Sequence, residues 1–279
     1  MRTISSNEIE NAVYRLALKA GVNLTPSAKR ALTCAAQAET GELARYALSL
    51  MAENADVAVR ESLPVCQDTG LCVVMLEVGQ DVHIAGAPVA EAANAGVRRA
   101  YADGCFRKSC CDPLTRVNTG DNTPAVLYTE IVPGDRVRVT VLPKGFGSEN
   151  MSKLSMLTPA AGKEGIVNAV VSAVRDAGSR PCPPVIVGVG VGGTFDKCAY
   201  LAKKALLRPV GAPAERADVR ELEERALSAV NALQIGAQGF GGDITALSVA
   251  IEVLPTHIAG LPVAVNMQCH CARCEEEIL

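Results

Sequence analysis

The sequence predicts an α+β fold, a mixed sheet packed with helices behind a helical N-terminal region. Three observations carry this prediction. Apolar residues recur at helical spacing through the first sixty positions. Short runs rich in Val, Ile and Leu follow, one of them strictly alternating, and these read as strands. Helical patterns are interspersed among the strands. At 279 residues the chain can bury a large core. It has no low-complexity stretch, internal repeat or clean linker, so it reads as a single catalytic domain over 1–279 with 1–60 as a mainly helical lobe.

The first helix begins at Ser5-Ser6-Asn7-Glu8, a capping box ahead of Ile9, Val13 and Leu16, and stops at Gly21. Thr25-Pro26 starts a second, and a third runs from Glu42 through Leu50 to Val59. The turn Pro64-Val65-Cys66-Gln67-Asp68-Thr69-Gly70 then leads into a strand from Leu71 to Val78. It sets a thiol, an amide and a carboxylate together at the end of a sheet. One reading makes them a ligand, an anchor and an acid. The other makes Cys66 a small buried hydrophobe and Asp68-Thr69-Gly70 ordinary turn chemistry.

A helix from Pro88 to Ala102 leads to a long polar loop, Arg107 to Pro124, of a length that is often functional. Ala125–Ile131 and Arg136–Leu142 read as a hairpin, with Val137, Val139 and Val141 alternating against Arg136, Arg138 and Thr140. Its exit, Lys144-Gly145-Phe146-Gly147-Ser148-Glu149-Asn150, is a glycine-rich turn whose amides could meet a carboxylate. A helix to Ala177 precedes Pro181-Cys182-Pro183-Pro184, where prolines lock the backbone around Cys182. The strand Val185–Val187 is followed by the run Gly188 to Thr194, in which Gly188, Gly190 and Gly193 match G-x-G-x-x-G. However, no second strand with a terminal acidic residue follows the next helix, which argues against a dinucleotide site. After a charged helix from Glu215 to Leu233, strands at Ala246–Val253 and Leu261–Asn266 flank Leu254-Pro255-Thr256-His257 and deliver Cys269, His270, Cys271 and Cys274.

Composition narrows the function. Hydrophobic residues at 49% and charged residues at 20% describe a globular chain. A net charge of -3, 3% aromatics and no Trp argue against nucleic acid. No apolar run approaches the roughly 18 residues of a membrane span, and the N-terminus lacks a signal-peptide core. The expectation is a cytoplasmic protein with no membrane partner. Eleven cysteines in a reducing compartment point to metal, cluster or catalysis. Two ligand sets compete: a local zinc site of Cys269, His270, Cys271 and Cys274, or Cys66, Cys182 and Cys269 gathered by one sheet edge around an iron–sulfur cluster.

The blocks already quoted resemble, in order and over nearly the whole chain, the class I (iron–sulfur) fumarate hydratase family: Pro64–Gly70, Arg107 with Cys111-Asp112-Pro113, Asn118–Pro124, Lys144–Asn150, Cys182-Pro183-Pro184 with Gly192-Gly193-Thr194, and Gln268-Cys269-His270 with Ala272-Arg273. By length the chain is similar to the α subunit of the two-subunit form. The resemblance implies a [4Fe-4S] cluster on Cys66, Cys182 and Cys269 with one iron open to substrate. It implies that Gln67, Arg107 and His257 contact a small dicarboxylate, with Gly145 and Gly147 offering amides. Asp68 falls where a proton is exchanged with the hydroxyl. Phe146 departs from a family loop that is more often all glycine. The reaction implied is reversible hydration of fumarate to malate, with the tartrate dehydratase α subunit as the alternative within the family. A zinc-stabilised binding or regulatory protein is the alternative outside it. The residue that removes the carbon-bound proton lies in the half of the single-chain enzymes that this chain lacks. A β subunit must therefore complete an αβ hetero-oligomer, with a dimer of heterodimers as one assembly, and this chain is expected to be inactive alone. Cys34, Cys72, Cys105, Cys198, Cys271 and Cys274 read as core or incidental thiols.

Overall fold

The structure is a computed structural model that describes residues 2–279. In chain order the elements are β1 (Arg2–Ser5), α1 (Ser6–Val22), α2 (Pro26–Ala38), α3 (Glu42–Glu61), β2 (Leu71–Gly79), β3 (Val82–Ala85), α4 (Val89–Asp103), β4 (Val126–Val132), β5 (Val137–Lys144), α5 (Phe146–Glu149), β6 (Lys153–Leu157), α6 (Gly162–Ala177), β7 (Val185–Gly192), α7 (Phe195–Ala205), α8 (Ala217–Asn231), β8 (Ala246–Leu254), β9 (Leu261–Gln268) and β10 (Glu275–Ile278). The α+β class is as the sequence predicts, with helices packed on mixed sheets. Among the described residues no helix is long and apolar enough to cross a membrane. The chain divides into two compact units. The first takes residues 2–25, Asn54–Phe146 and Arg273–Leu279, and the second takes Pro26–Glu53 and Gly147–Ala272.

The first unit begins with the expected capping box. Ser5 Oγ accepts from Glu8 N at 3.3 Å, and Glu8 Oε2 accepts from Ser5 N at 2.8 Å. Helix α1 packs on α4 at Gly96, where a Cβ would meet Glu10 O at 2.6 Å. Both helices cover a core that includes Ile9, Val13, Val74, Leu76, Val97 and Val139. The sheet order is β10-β5-β2-β4, so β4 and β5 do not form the expected hairpin. Strand β2 lies between them, parallel to β4 and antiparallel to β5. The physical reason is burial: Cys72 to Leu76 are all buried, and so continuous an apolar run belongs at a sheet centre with a neighbour on each side. The Val132–Arg136 connection therefore crosses the end of β2, donating no hairpin ladder of its own. Its carbonyls accept from Gly79, Gln80 and Asp81 N at 2.8, 2.8 and 3.0 Å. The acidic tail Glu275–Ile278, which has no strand signature, pairs with β5 because cations meet each carboxylate: Lys19 on Glu275 at 2.7 Å, Arg138 on Glu276 at 2.8 Å and Arg15 on Glu277 at 2.7 Å.

The second unit is built on a sheet of order β6-β9-β7-β8. Strand β7 is wholly buried and runs on through the glycines, past the expected end at Val187. Its valines, 185, 187, 189 and 191, enter a core shared with α6 and α8. On the other face, a Cβ at Gly188 would lie 2.2 Å from Ala202 O, and one at Gly190 would lie 2.1 Å from Cys198 O. These glycines let α7 lie directly on the strand, so the G-x-G-x-x-G match is a packing feature. Glu39, 1% exposed, accepts from Gly41, Asp243 and Ile244 N and fixes the Gly241-Gly242 loop.

Candidate functional site

In the first unit the Cys66 turn is held from several sides. Thr69 and Gly70 are buried, and Tyr101 Oη donates to both of their carbonyls at 2.8 and 3.0 Å. Thr69 Oγ1 donates to Arg107 O at 2.8 Å, which ties the exposed Arg107 to the turn. Asn122, fully buried, donates to Gly70 O at 3.2 Å and accepts from Ser109 and Cys110 N at 2.7 and 3.1 Å. Gly70, at φ +79°, lies so near Lys144 that a Cβ would sit 2.8 Å from that backbone. Cys66 and Asp68 are partly buried and Gln67 is exposed.

Asp68 is the junction of this arrangement. Its Oδ1 accepts from Gly70 N at 3.0 Å and its Oδ2 from Phe146 N at 2.8 Å. Its main-chain carbonyl accepts from Arg273 Nη2 at 2.8 Å. A Cβ on Gly145 would come within 3.2 Å of Asp68 Oδ2 and 3.7 Å of Arg273 Nη2, so a side chain there would crowd the Asp68 carboxylate. Arg273 is 1% exposed, and its Nε and Nη1 have no hydrogen-bond partner. Each idle buried donor costs about 1–3 kcal/mol. Sequence reading missed Asn122, Tyr101 and Arg273 as supports of the turn. The polar loop Asn118–Pro124 was a signal for the first and the Ala272-Arg273 block for the third; nothing local marks Tyr101.

In the second unit Cys182 is exposed and its backbone adopts φ +54°, a left-handed conformation uncommon for a residue other than glycine. Strands β7 and β9 pair antiparallel with Ile186 opposite Gln268, so Cys182 and Cys269 fall at the same end of the two strands. His270 Nδ1 lies 3.1 Å from Cys182 O, and Gln268 Nε2 donates to Cys271 O at 3.0 Å. His257 is exposed, with Nδ1 accepting from Ala259 N at 3.2 Å. Its loop is tied to the glycine run: Gly193 N donates to Pro255 O at 3.3 Å and Thr256 Oγ1 to Gly193 O at 2.9 Å. Gly147 is exposed. Glu149 anchors the segment after it, accepting from Lys203 Nζ at 2.6 Å and Asn266 Nδ2 at 2.7 Å.

Among the described residues, no three His, Cys, Asp or Glu side chains are gathered into a set that could hold a metal ion, Cys269, His270, Cys271 and Cys274 included. Nor does one sheet edge carry Cys66, Cys182 and Cys269: Cys66 leads into β2, while the other two flank β7 and β9. The donor chemistry nonetheless separates the core thiols from those outside the core, which are Cys34, Cys105, Cys110 and Cys111 as well as these three. Cys66 and Cys269 are partly buried and Cys182 is exposed. By contrast, burial pushes Cys72 up to about 12 and Cys198 to about 11. Burial, with Glu276 and Glu275 nearby, pushes Cys274 to about 12. A metal needs the thiolate, which those core thiols resist giving. Cys66, Cys182 and Cys269 are among the thiols outside the core and fit an iron–sulfur group by donor type, and the idle, buried guanidinium of Arg273 fits an anionic one.

A model of the fumarate hydratase (Fumerase) family matches residues 10–277. The putative L(+)-tartrate dehydratase subunit alpha of Methanocaldococcus jannaschii is 40% identical over 268 residues, 94% of each chain. The L(+)-tartrate dehydratase subunit alpha of Escherichia coli (strain K12) is 31% identical over 236 residues, 83% of this chain and 78% of its own length.

Proposed function

Because the chain belongs to the fumarate hydratase (Fumerase) family, we propose that it is the α subunit of a hydro-lyase acting on four-carbon dicarboxylic acids, with fumarate and malate as the leading pair. A [4Fe-4S] cluster held by Cys66, Cys182 and Cys269 would supply, when bound, a Lewis acid at its open iron. Arg107 and Gln67 bind the carboxylates of the diacid, and the amides of Gly145 and Gly147 and the imidazole of His257 complete its contacts. In hydration one water adds across the double bond, oxygen to one carbon and hydrogen to the other. Asp68 exchanges its proton with the hydroxyl oxygen, and a group on a separate β subunit handles the carbon-bound proton.

One observation supports this reading most directly. The two oxygens of Asp68 are fixed by Gly70 N and Phe146 N, which joins the Cys66 turn to the glycine-rich stretch at a single oriented carboxylate. A carboxylate so held is aimed before substrate arrives, which is where catalytic orientation comes from.

The relatives' names favour a second substrate, L-tartrate, whose loss of water gives the enol of oxaloacetate. The test is to co-purify this chain anaerobically with its partner subunit and follow fumarate formation from malate and oxaloacetate formation from L-tartrate. Turnover of at least one by the pair, and of neither by this chain alone, is expected. Full activity of the isolated chain would refute the proposed contribution of a β subunit.

A further inference from the structure

Among the described residues, the buried side-chain nitrogen and oxygen atoms without a hydrogen-bond partner are Gln268 Oε1, Arg273 Nε and Arg273 Nη1. All fall within residues 268–273, the stretch that carries Cys269. Arg273 is the more unusual of the two residues, because its group is permanently charged. A guanidinium offers five N–H donors in a planar fork. At 1% exposure water does not reach this one, and the fork engages the protein through Nη2, which donates to Asp68 O at 2.8 Å. It meets Asp68 through the main-chain carbonyl and so gains no carboxylate from it. A Cβ added at Gly145 would lie 3.7 Å from Nη2 and 3.2 Å from Asp68 Oδ2.

A strut for the Asp68 carbonyl would not need a guanidinium. A neutral amide could make the same bond without burying a charge and leaving Nε–H and Nη1–H idle. What the arrangement suits is an acceptor that carries negative charge and can take more than one N–H. We infer that Arg273 is an anion-holding residue, whose Nε–H and Nη1–H donate to an anionic group bound beside Asp68 and Gly145. This deepens the function proposed above and rests on it for the identity of the anion. The shared chemistry has two sources: a sulfide or thiolate of the cluster, whose potential N–H···S bonds raise, or a carboxylate of the diacid.

The experiment uses the full chain co-purified anaerobically with its partner, as wild type, Arg273→Gln and Arg273→Lys. Iron and sulfide of the wild type are measured first. If neither is present, the cluster reading fails on its own account and the carboxylate readout alone decides for Arg273. Two quantities are then compared: the midpoint potential of the cluster, and the Kd of succinate, an unreactive diacid, by calorimetry. A more negative potential in Arg273→Gln with succinate Kd within about twofold supports the inference with sulfur as acceptor. A succinate Kd raised about tenfold or more, with potential unmoved, supports it with carboxylate as acceptor. Should Arg273→Gln fail to fold by circular dichroism, Arg273→Lys decides, since it keeps the charge but loses the fork; the same shift, smaller in size, is expected. A folded variant whose potential and succinate Kd both match wild type overturns the inference.

Discussion

Phe146 opens α5, a position where an amide has no partner inside the helix and where proline is well tolerated. Its amide is not idle here, because it donates to Asp68 Oδ2 at 2.8 Å. Phe146→Pro deletes that donor, and Gly145 before it is the residue best able to absorb the restriction a proline imposes. Phe146→Ala keeps the donor and removes only a ring that is 43% exposed. The difference between the two variants therefore isolates one N–H. Bonds to charged groups contribute about 1.5–3 kcal/mol. Asp68 is only partly buried and Gly70 N still holds its other oxygen, so the lower end applies, about 1.5 kcal/mol. Felt in the transition state, that is about a tenfold fall in kcat of Pro relative to Ala, with KM within about threefold. Steady-state dehydration of malate or L-tartrate by the αβ complex is the assay, with thermal melts to confirm folding. Equal kcat in the two variants would refute the claim that this bond orients a group acting in the reaction.

Three further outcomes test the supports of the site. Asn122→Ala removes three bonds at a fully buried position and should cost about 3 kcal/mol in urea unfolding. Asn122→Gly, which accepts its φ of 62° freely, should be milder by about 1 kcal/mol; no loss in either would show that the loop stands without it. Gly192→Ala, at φ +90° with a Cβ 1.9 Å from Leu254 O, should cost about 2–4 kcal/mol and lower kcat by displacing the His257 loop. A variant with wild-type melting and turnover would sink that. Burial opposes ionisation of Asp121, but bonds from Thr123 and the ion pair to Arg98 outweigh it and hold its carboxyl at about 2. A depressed folded value stabilises above the ordinary aspartate range and is lost as pH falls through about 4 to 2. Asp121→Asn should therefore cost about 1–2 kcal/mol at pH 7, allowing for screening at the exposed Arg98, and the gap should close near pH 2. A gap independent of pH would contradict this.

The helices were legible because their signals are local: the Ser5–Glu8 box, Thr25-Pro26 and the apolar spacing of α3 stand in the sequence as they stand in the fold. Strand partners were not. The β4–β5 pair looks like a hairpin to any local rule, and only the stronger claim of β2 on the sheet centre separates them. Strand β10 has an acidic sequence with no strand propensity and forms because Arg15, Lys19 and Arg138 await it. The glycines of β7 invite a phosphate-loop reading until Ala202 O and Cys198 O occupy the space a Cβ would need. At the site, turn context marked Asp68 and Cys182 as candidates, and the resemblance supplied their roles. Arg273 stood in a quoted block, but its burial against Asp68 was not legible there, since it depends on a turn 205 residues away in the sequence.

The central claim is that Cys66, Cys182 and Cys269 together hold the cofactor of this hydro-lyase. Iron and sulfide per chain, measured after anaerobic reconstitution of wild type, Cys66→Ser and the control Cys34→Ser, test it most directly. The account predicts about four of each in wild type and in Cys34→Ser, and a large loss in Cys66→Ser. One zinc and no iron in the wild type, or a full complement in Cys66→Ser, would contradict it.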